Sequence, residues 1–216
     1  MHKYGFRGIS ESFLRSYLKD RRQYVEVNGV ASDIKTNNVG VPQGSVLGPQ
    51  LFNLFINDMS NIPNVKLLLF ADDAVFYVTD PLFSNCIDKL NTCIDHISKW
   101  LVNNKLTPNL NKTKIMLFSP KPIGVLPNIY FNDTIISWVD SYEYLGIIID
   151  DKINFILQSK VIQRKLNSLL GVIYSMHHLM PSNTLKLLYN TLVYPVLINN
   201  IIIWGNCKMT QKTYRD

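Results

Sequence analysis

The sequence has few cysteines and no apolar stretch near its start. The 216 residues include three cysteines, Cys86, Cys93 and Cys207, which form neither a CxxC pair nor a zinc-finger spacing. An odd number of cysteines in this arrangement argues against the disulfide framework of a secreted protein. The first residues also contain no apolar segment that could act as a secretory signal. We therefore predict reduced, buried thiols in an intracellular protein, located in the cytoplasm, the nucleus or both.

Charged residues make up only 18% of the chain, whereas hydrophobic residues make up 47%. This balance excludes a disordered chain and is sufficient for a buried core. The 22 lysines and arginines exceed the 16 acidic residues, so the formal net charge is +6. An excess of this size permits a nucleic-acid partner without establishing one.

The segment Leu187 to Cys207 contains no charged residue at all. It is long enough to cross a bilayer, which takes about 20 residues. Several of its residues would nevertheless be costly in hydrocarbon or would interrupt a helix. These are Asn190, Asn199, Asn200, Asn206 and Pro195. We therefore predict a buried core segment and no membrane partner.

Hydrophobic spacing predicts a mixture of helices and strands. Apolar residues recur at helical intervals from Ile9 to Leu18 and from Ile87 to Leu101. Asn28-Gly29 is a strong signal for a β-hairpin. The nearly continuous apolar runs 65–70 and 74–78 predict two strands buried on both faces. The expected fold class is α+β.

The second half of the chain predicts strands followed by helices. Thr113 to Phe118, Asn128 to Ile136 and Tyr142 to Asp150 are β-prone pieces separated by turn-forming residues. Beyond Asp151 the apolar pattern is helical again to about Tyr194. We expect a boundary near residue 150, which divides the chain into residues 1–150 and 151–216.

Two adjacent aspartates, Asp72 and Asp73, join the two apolar runs. Neighbouring carboxylates repel one another by about 1 kcal/mol or more, so a cation should compensate. Asp also favours turns, and two solvated turn residues are the alternative explanation. Asp-Asp, however, lacks the advantage of Asn-Gly at a two-residue turn, and the flanking strands suggest burial. Carboxylates held on a rigid hairpin suit Mg²⁺, whose remaining ligands come from substrate phosphates.

Residues 40–49 form a segment rich in glycine and proline ahead of an apolar helix. Gly44 would let backbone amides approach a nucleotide or a phosphate closely. Gln43 would then contact a sugar or a base. A glycine that is needed only for the backbone geometry of the helix entry is the alternative.

Several segments resemble motifs of the reverse transcriptases of non-LTR retrotransposons, which are related to those of group II introns. Gly40 to Pro49 resembles motif B, and Phe70-Ala71-Asp72-Asp73 resembles the catalytic motif C. Asn109 to Lys114 is similar to motif D. Tyr144-Leu145-Gly146, followed by residues 147–150, resembles the primer-grip motif E. The resemblance covers almost the whole chain, and the order and separation of the motifs are specific to the family.

The resemblance implies both an architecture and a reaction. Residues 1–150 would form a truncated polymerase palm, an antiparallel sheet packed on helices, and residues 151–216 a helical thumb-like region. The reaction would add deoxynucleoside triphosphates to the 3′ hydroxyl of a DNA primer, directed by an RNA template and assisted by two metal ions. The metal would be Mg²⁺, with Mn²⁺ as a substitute. Asp72 would be the shared metal ligand and Asp73 its supporting neighbour.

The resemblance also assigns roles to residues outside the aspartate pair. Lys112, or Lys114 beside it, would neutralise or protonate the pyrophosphate leaving group, although a solvated surface charge is the alternative. Tyr144, Leu145 and Gly146 would position the primer strand, unless they are ordinary strand packing. The residues assigned to the nucleotide and template pocket are Pro42, Gln43, Gly44, Ser45, Phe70 and Ala71.

Three cations, Lys160, Arg164 and Lys165, stand at helical spacing in the thumb-like region. Cations that face a duplex backbone raise affinity without reading sequence. A solvated helix face explains the same spacing equally well.

The motif A aspartate of the family has no counterpart in these 216 residues. The first acidic residue is Glu11, which lies inside a helical pattern. The resemblance thus implies a missing N-terminal polymerase segment within a longer polyprotein. Losing a shared metal ligand removes several kcal/mol of transition-state stabilisation, so we expect little or no activity from the isolated chain. A catalytically inactive nucleic-acid-binding protein, or a decayed remnant of such an element, is the alternative function.

Overall fold

The computed structural model describes residues 4–37, 39–62 and 65–207. The chain divides into two compact units, Met1–Asn104 and Lys105–Asp216. Both contain helices and short strands, which confirms the α+β class. The strands form separate sheets of two or three members instead of the single antiparallel sheet that a palm implies.

The first unit begins with a helix and a pair of two-stranded ribbons. Strands β1 and β4 pair antiparallel, as do β2 with β3 and β5 with β6. A short 3₁₀ helix, Asn57–Asn61, follows α2. The elements are α1 (Gly8–Leu18), β1 (Arg21–Gln23), β2 (Glu26–Val27), β3 (Val30–Ala31), β4 (Lys35–Asn37), α2 (Leu47–Ile56), β5 (Lys66–Phe70), β6 (Asp73–Tyr77) and α3 (Phe83–Asn103).

Helix α3 forms because apolar residues recur along one of its faces. Cys93, Ile94 and Ile97 on this face are buried. The indole nitrogen Nε1 of Trp100 donates a hydrogen bond to Oδ1 of Asp58, at 3.1 Å. This bond ties the end of α3 to the 3₁₀ helix. The predicted helices at Ile9–Leu18 and Ile87–Leu101 are confirmed, since they lie within α1 and α3.

The start of α3 is held by Asp80. Its Oδ1 accepts hydrogen bonds from the backbone N–H of Leu82, at 2.9 Å, and from the side-chain amide of Asn85, at 3.1 Å. Its Oδ2 lies 2.7 Å from Nζ of Lys89. The hydrogen bond from Lys89 is the main cause that lowers the pKa of Asp80, and it raises the pKa of Lys89 in turn.

The second unit combines small sheets with a helical stretch. Strand β9 pairs antiparallel with β8 and parallel with β7, and β10 pairs antiparallel with β11. The elements are β7 (Lys114–Ile115), β8 (Ile129–Phe131), β9 (Thr134–Trp138), β10 (Ser141–Tyr144), β11 (Ile147–Asp150), α4 (Ile156–Met176), a 3₁₀ turn (His177–Leu179), α5 (Ser182–Leu188), a π-helix (Tyr189–Val193), α6 (Tyr194–Ile198) and α7 (Ile201–Trp204).

The core of the strand region consists of Ile129, Phe131 and Ile136. They occupy the inward positions of β8 and β9, where side chains alternate between the two faces. The predicted strand at Thr113–Phe118 is shorter than expected, because only Lys114 and Ile115 pair with a neighbour.

The uncharged segment Leu187–Cys207 is broken into short helices. The backbone leaves the helical conformation between α6 and α7, where Asn200 has a positive φ of 56°. Val193 and Trp204 are buried, but Ile202 is 96% exposed. The prediction of a buried core segment is therefore wrong for much of its length, since each short helix buries only one face. Every helix within the described residues is too short or too polar to cross a membrane.

The three cysteines form no disulfide within the described part of the chain, as predicted. Cys93 and Cys207 are buried, and burial raises the pKa of the Cys93 thiol. Cys86 is only half-buried, in the first turn of α3. The predicted division of the chain at residue 150 stays a prediction.

Candidate active site

Asp72 and Asp73 lie at the tip of the hairpin formed by β5 and β6. Phe70 pairs with Asp73, so the turn consists of only Ala71 and Asp72. Ala71 has a positive φ of 50°. A two-residue hairpin with a positive φ at its first position normally carries glycine there, because the left-handed region strains other residues by about 1 kcal/mol. The turn is therefore held in a conformation that its sequence does not favour.

The strands of this hairpin are not buried on both faces, and that prediction is wrong. Leu68 is 57% exposed and Phe70 is 61% exposed. The physical reason is that β5 and β6 form an isolated two-stranded ribbon among the described strands, and no other described element covers the face that carries Leu68 and Phe70. Because these strands are exposed, burial does not argue against a surface turn at Asp72 and Asp73. The unusual property of this hairpin is the positive φ of Ala71.

Both carboxylates of the pair are exposed. Among the described residues, the side-chain carboxylates of Asp72 and Asp73 make no hydrogen bond and no ion pair. Their oxygens are available to a cation, and hard oxygen ligands from one or two carboxylates suit Mg²⁺ when substrate phosphates complete its shell. The described part of the chain contains no group of three or more side chains that could hold a metal on its own.

The glycine-rich loop before α2 is organised by Ser45. Its Oγ donates a hydrogen bond to the backbone oxygen of Pro42, at 2.7 Å, and accepts one from the N–H of Gly48, at 3.0 Å. Gly48 lies so close to the backbone of Pro42 that a Cβ added to Gly48 would be 2.9 Å from the Pro42 oxygen. Ser45 and Gly48 therefore close the loop onto the start of α2.

Gly44 and Gln43 present the outer side of this loop. Gly44 has a positive φ of 74°, and a Cβ added there would meet nothing within 4 Å. Gln43 is exposed and, among the described residues, its side chain makes no hydrogen bond. The geometry agrees with a loop that approaches a ligand, and equally with a glycine that is needed for the backbone alone.

Lys112 lies in a tight loop that Asn109 holds together. The N–H of Lys112 donates to the backbone oxygen of Asn109, at 3.1 Å, and the N–H of Thr113 donates to the same oxygen, at 3.0 Å. The side chain of Lys112 is exposed and has no ion-pair partner among the described residues. Lys114, by contrast, is half-buried and lies in β7, where it pairs with β9.

Tyr144, Leu145 and Gly146 form the turn of the hairpin between β10 and β11. Tyr144 pairs with Ile147, so the turn consists of Leu145 and Gly146. Both have positive φ angles, 50° and 78°, the pattern of a type I′ turn. Leucine is unfavourable at the first of these positions, and its side chain is 42% exposed.

The opposite end of this hairpin is anchored by Asp150, a residue whose role the sequence analysis missed. Its buried carboxylate accepts backbone N–H bonds from Lys152 and Asn154, both at 3.1 Å, and from Phe155, at 2.8 Å. An aspartate ahead of polar residues and a helix is a signal for this kind of bonding.

Gln158 and Tyr142 add two further bonds to the hairpin, and sequence reasoning missed them as well. The buried Gln158 of α4 accepts the N–H of Ile148 at its Oε1, at 3.0 Å. The hydroxyl of Tyr142 donates to the backbone oxygen of Lys112, at 2.9 Å. No sequence signal reveals these contacts, because each partner is at least ten positions away.

The three cations of α4 are exposed. Nε of Arg164 donates to the backbone oxygen of Lys160, at 3.3 Å, and none of the three has an acidic partner among the described residues. This arrangement leaves both explanations open, a surface for a nucleic-acid backbone and a solvated helix face.

The candidate residues are distributed over both units. The loop 42–45 and the turn 70–73 belong to the first unit, and no hydrogen bond or ion pair between described residues links them. Lys112, Tyr144 to Gly146 and the α4 cations belong to the second unit. Within that unit, Tyr142 joins the loop of Lys112 to the hairpin of Tyr144.

Comparison with known proteins identifies relatives of the chain. A family model described as reverse transcriptase (RNA-dependent DNA polymerase) matches residues 1–149. The chain is 28% identical, over 205 residues, to the RNA-directed DNA polymerase from mobile element jockey of Drosophila melanogaster, and 28% identical, over 207 residues, to its counterpart from Drosophila funebris. It is also 28% identical, over 204 residues, to the probable RNA-directed DNA polymerase from transposon BS of Drosophila melanogaster.

Each of these alignments covers 89% of this chain but only 22% of the relative. The chain therefore spans about a fifth of the length of the curated relatives that it matches. The comparison with solved structures found no match.

Proposed function

Since the chain belongs to the reverse transcriptase (RNA-dependent DNA polymerase) family, we propose that it supplies part of the active site of such an enzyme from a non-LTR retrotransposon. The family match covers residues 1–149, which include both the glycine-rich loop and the aspartate pair. The substrates would be a deoxynucleoside triphosphate, a DNA primer and an RNA template. The whole enzyme would be longer than the segment aligned with its relatives.

The observation that carries this proposal is the turn at Ala71 to Asp73. Two exposed carboxylates without partners among the described residues stand at this strained turn, Asp72 within it and Asp73 at the first position of β6. Backbone strain of this kind clusters at functional sites, where the surrounding structure holds the strained conformation. Asp72 and Asp73 would hold Mg²⁺ or Mn²⁺. Such an ion, when bound, polarises phosphoryl oxygens and stabilises their developing charge.

The other residues would bind and orient the substrates. Pro42, Gln43, Gly44 and Ser45 would line the nucleotide and template pocket together with Phe70 and Ala71. Gln43 is exposed at the outer side of its loop, and Gly44 leaves the backbone open to a ligand. The loop would therefore orient the incoming nucleotide by its backbone and by the amide of Gln43.

Lys112 would stabilise the charge of the pyrophosphate leaving group and donate a proton from its ammonium group. Two observations favour it over Lys114: its side chain is exposed, and it is carried by a loop instead of a paired strand. Leu145 would contact the primer from the strained turn between β10 and β11. Lys160, Arg164 and Lys165 would contact the backbone of the duplex from α4, the first helix of the thumb-like region.

Primer extension tests the proposed function. The 216-residue chain and a longer polypeptide that adds the motif A segment would be compared on an RNA template with Mg²⁺ or Mn²⁺. We expect extension by the longer polypeptide only, and its loss by at least about 100-fold in Asp72→Asn, because charge stabilisation by a bound metal contributes several kcal/mol. Extension by the longer polypeptide that survives in Asp72→Asn would contradict the role of the aspartate pair.

A catalytically inactive nucleic-acid-binding protein is the second candidate, and the unpaired cations of α4 favour it. In that case the affinity for a primer-template would fall with salt and would hardly change in Asp72→Asn. An affinity that is insensitive to salt would contradict both candidates.

A further inference from the structure

We propose that Tyr142 is a positioning residue that ties the loop of Lys112 to the hairpin of Tyr144 to Gly146. The inference rests on the proposed function, which places Lys112 at the leaving group and the hairpin turn at the primer. Its starting observation is the bond from the hydroxyl of Tyr142 to the backbone oxygen of Lys112, at 2.9 Å. The two residues are 30 positions apart in the chain but belong to the same compact unit.

The bond completes a clamp on the backbone of Lys112. On one side, the N–H of Lys112 donates to the backbone oxygen of Asn109, at 3.1 Å. On the other side, the oxygen of Lys112 accepts from Tyr142. The side chain of Lys112 remains exposed. The two hydrogen bonds therefore fix the backbone position of Lys112, and its ammonium group can still move toward a ligand.

The position of Tyr142 on β10 explains why it can link two functions. Side chains alternate along a strand, so Tyr142 and Tyr144 project from the same face of β10. The loop of Lys112 is consequently held against the face that carries Tyr144. The ring of Tyr142 is 37% exposed, and the bond competes with water. A bond of this kind can form and break as the hairpin shifts.

The consequence is a coupling between primer position and lysine position. A primer bound at the hairpin would hold the hairpin and Tyr142 in place, and Tyr142 would in turn keep its bond to the backbone of Lys112 closed. Loss of the Tyr142 hydroxyl should leave the loop of Lys112 and the hairpin turn intact. A primer bound at the turn should then no longer affect the loop.

Hydrogen exchange tests the coupling in the full 216-residue chain. The amides of Lys112 and Thr113, and those of Leu145 and Gly146, would be followed with and without an RNA–DNA hybrid. In the unmodified protein we expect the hybrid to slow exchange at both sites by about threefold or more, which corresponds to a single hydrogen bond. In Tyr142→Phe we expect slowing at Leu145 and Gly146 only.

Tyr130→Phe is the matched control. Tyr130 lies in β8 of the same unit, is exposed, and its hydroxyl makes no hydrogen bond among the described residues. It should behave as the unmodified protein does. Because phenylalanine retains the ring, a role for Tyr142 in packing alone would leave Tyr142→Phe unchanged.

The outcomes separate the inference from the function on which it rests. Slowing at Lys112 and Thr113 that persists in Tyr142→Phe, or that is absent in the unmodified protein while Leu145 responds, would overturn the tether and leave the primer grip in place. Absence of slowing at Leu145 and Gly146 in the unmodified protein would overturn the primer grip, and the inference with it.

Discussion

Two hairpins in this molecule have the same turn but different residues in it. Asn28 and Gly29, between β2 and β3, have φ angles of 52° and 79°. Leu145 and Gly146, between β10 and β11, have φ angles of 50° and 78°. Asparagine tolerates the left-handed region, whereas leucine is strained there by about 1 kcal/mol or more.

The difference lies in what surrounds each hairpin. The strands β2 and β3 are exposed, and the two bonds between Val25 and Ser32 close their far end without burying it, so the turn sequence is the main determinant of the turn. The second hairpin is held at its far end by the carboxylate of Asp150, and along its strands by Gln158 and by the hydroxyl of Tyr142. A strained residue persists only where its surroundings determine its conformation. The anchored hairpin can therefore carry Leu145, a residue that does not favour the turn but is available to contact the primer.

The largest effect is expected from breaking the anchor. Asp150→Ala would remove a carboxylate that accepts three backbone N–H groups. We expect a loss of about 3 kcal/mol in the free energy of unfolding, because partly buried donors would be left without partners. Urea denaturation measures this loss. Asp133→Ala, at an exposed turn of the same unit, is the control, and equal losses in the two variants would contradict the anchor.

The next effect concerns the exposed turn at Asn28 and Gly29. Asn28→Leu would place at the exposed hairpin the residue that the anchored hairpin carries. We expect a loss of about 1 kcal/mol of hairpin stability, because the bonds between Val25 and Ser32 close the far end of this exposed hairpin without fixing the left-handed conformation at its turn. Amide exchange at Val27 and Val30 measures it. An unchanged exchange rate would mean that leucine is tolerated at such a turn without an anchor.

The reverse substitution should separate stability from binding. Leu145→Asn would relieve the strain and raise the free energy of unfolding by about 1 kcal/mol. If Leu145 contacts the primer, the affinity for an RNA–DNA hybrid should fall at the same time, by about threefold to tenfold. Thermal unfolding and titration with a fluorescent hybrid measure the two quantities. A variant that gains stability and keeps its affinity would remove Leu145 from the primer grip.

A smaller effect is expected at the turn of the aspartate pair. Ala71→Gly would relieve the strain but would also give the unfolded chain more freedom, so the net change should stay within about 0.5 kcal/mol. Ala74→Gly in the adjacent strand also gives the unfolded chain more freedom but relieves no strain. It should cost roughly 0.5–1 kcal/mol. Equal losses in these two variants, measured by urea denaturation, would show that Ala71 is not strained.

Much of the fold could be predicted from patterns that act over short distances. The helical intervals at Ile9 to Leu18 and at Ile87 to Leu101 gave the correct helices, and Asn28-Gly29 gave the correct turn. Burial was not predictable in this way. The apolar runs beside Asp72 suggested a buried hairpin, yet Leu68 and Phe70 are exposed, because burial depends on which strands come together.

The candidate site was predicted to the extent that it follows local motifs. The family resemblance is confirmed, and the roles of Asp72, Gln43 and Lys112 stay predictions. Asp150, Gln158 and Tyr142 were missed because their hydrogen bonds depend on tertiary contacts, which a single sequence does not display.

The smallest effect lies outside the hairpins, at Asp80. Its pKa is lowered mainly by the hydrogen bond from Lys89, so the folded state favours the carboxylate. The resulting stabilisation is present above the ordinary value of 3.8 and is lost as the pH falls through the lowered pKa. We expect faster amide exchange at Leu82, relative to its intrinsic rate, on acidification well below pH 3.8, and no such step in Asp80→Asn. A step that persists in this variant would assign it to another group.

We propose above that Asp72 and Asp73 hold a divalent metal ion. Paramagnetic broadening by Mn²⁺ tests it directly in the 216-residue chain, since the ion broadens the NMR signals of amides close to it. We predict that substoichiometric Mn²⁺ broadens the signals of Ala71, Asp72 and Asp73 first, and that Asp72→Asn abolishes this selectivity. Equal broadening at Asp72 and at an exposed turn aspartate such as Asp133, or selective broadening that persists in Asp72→Asn, would contradict the claim.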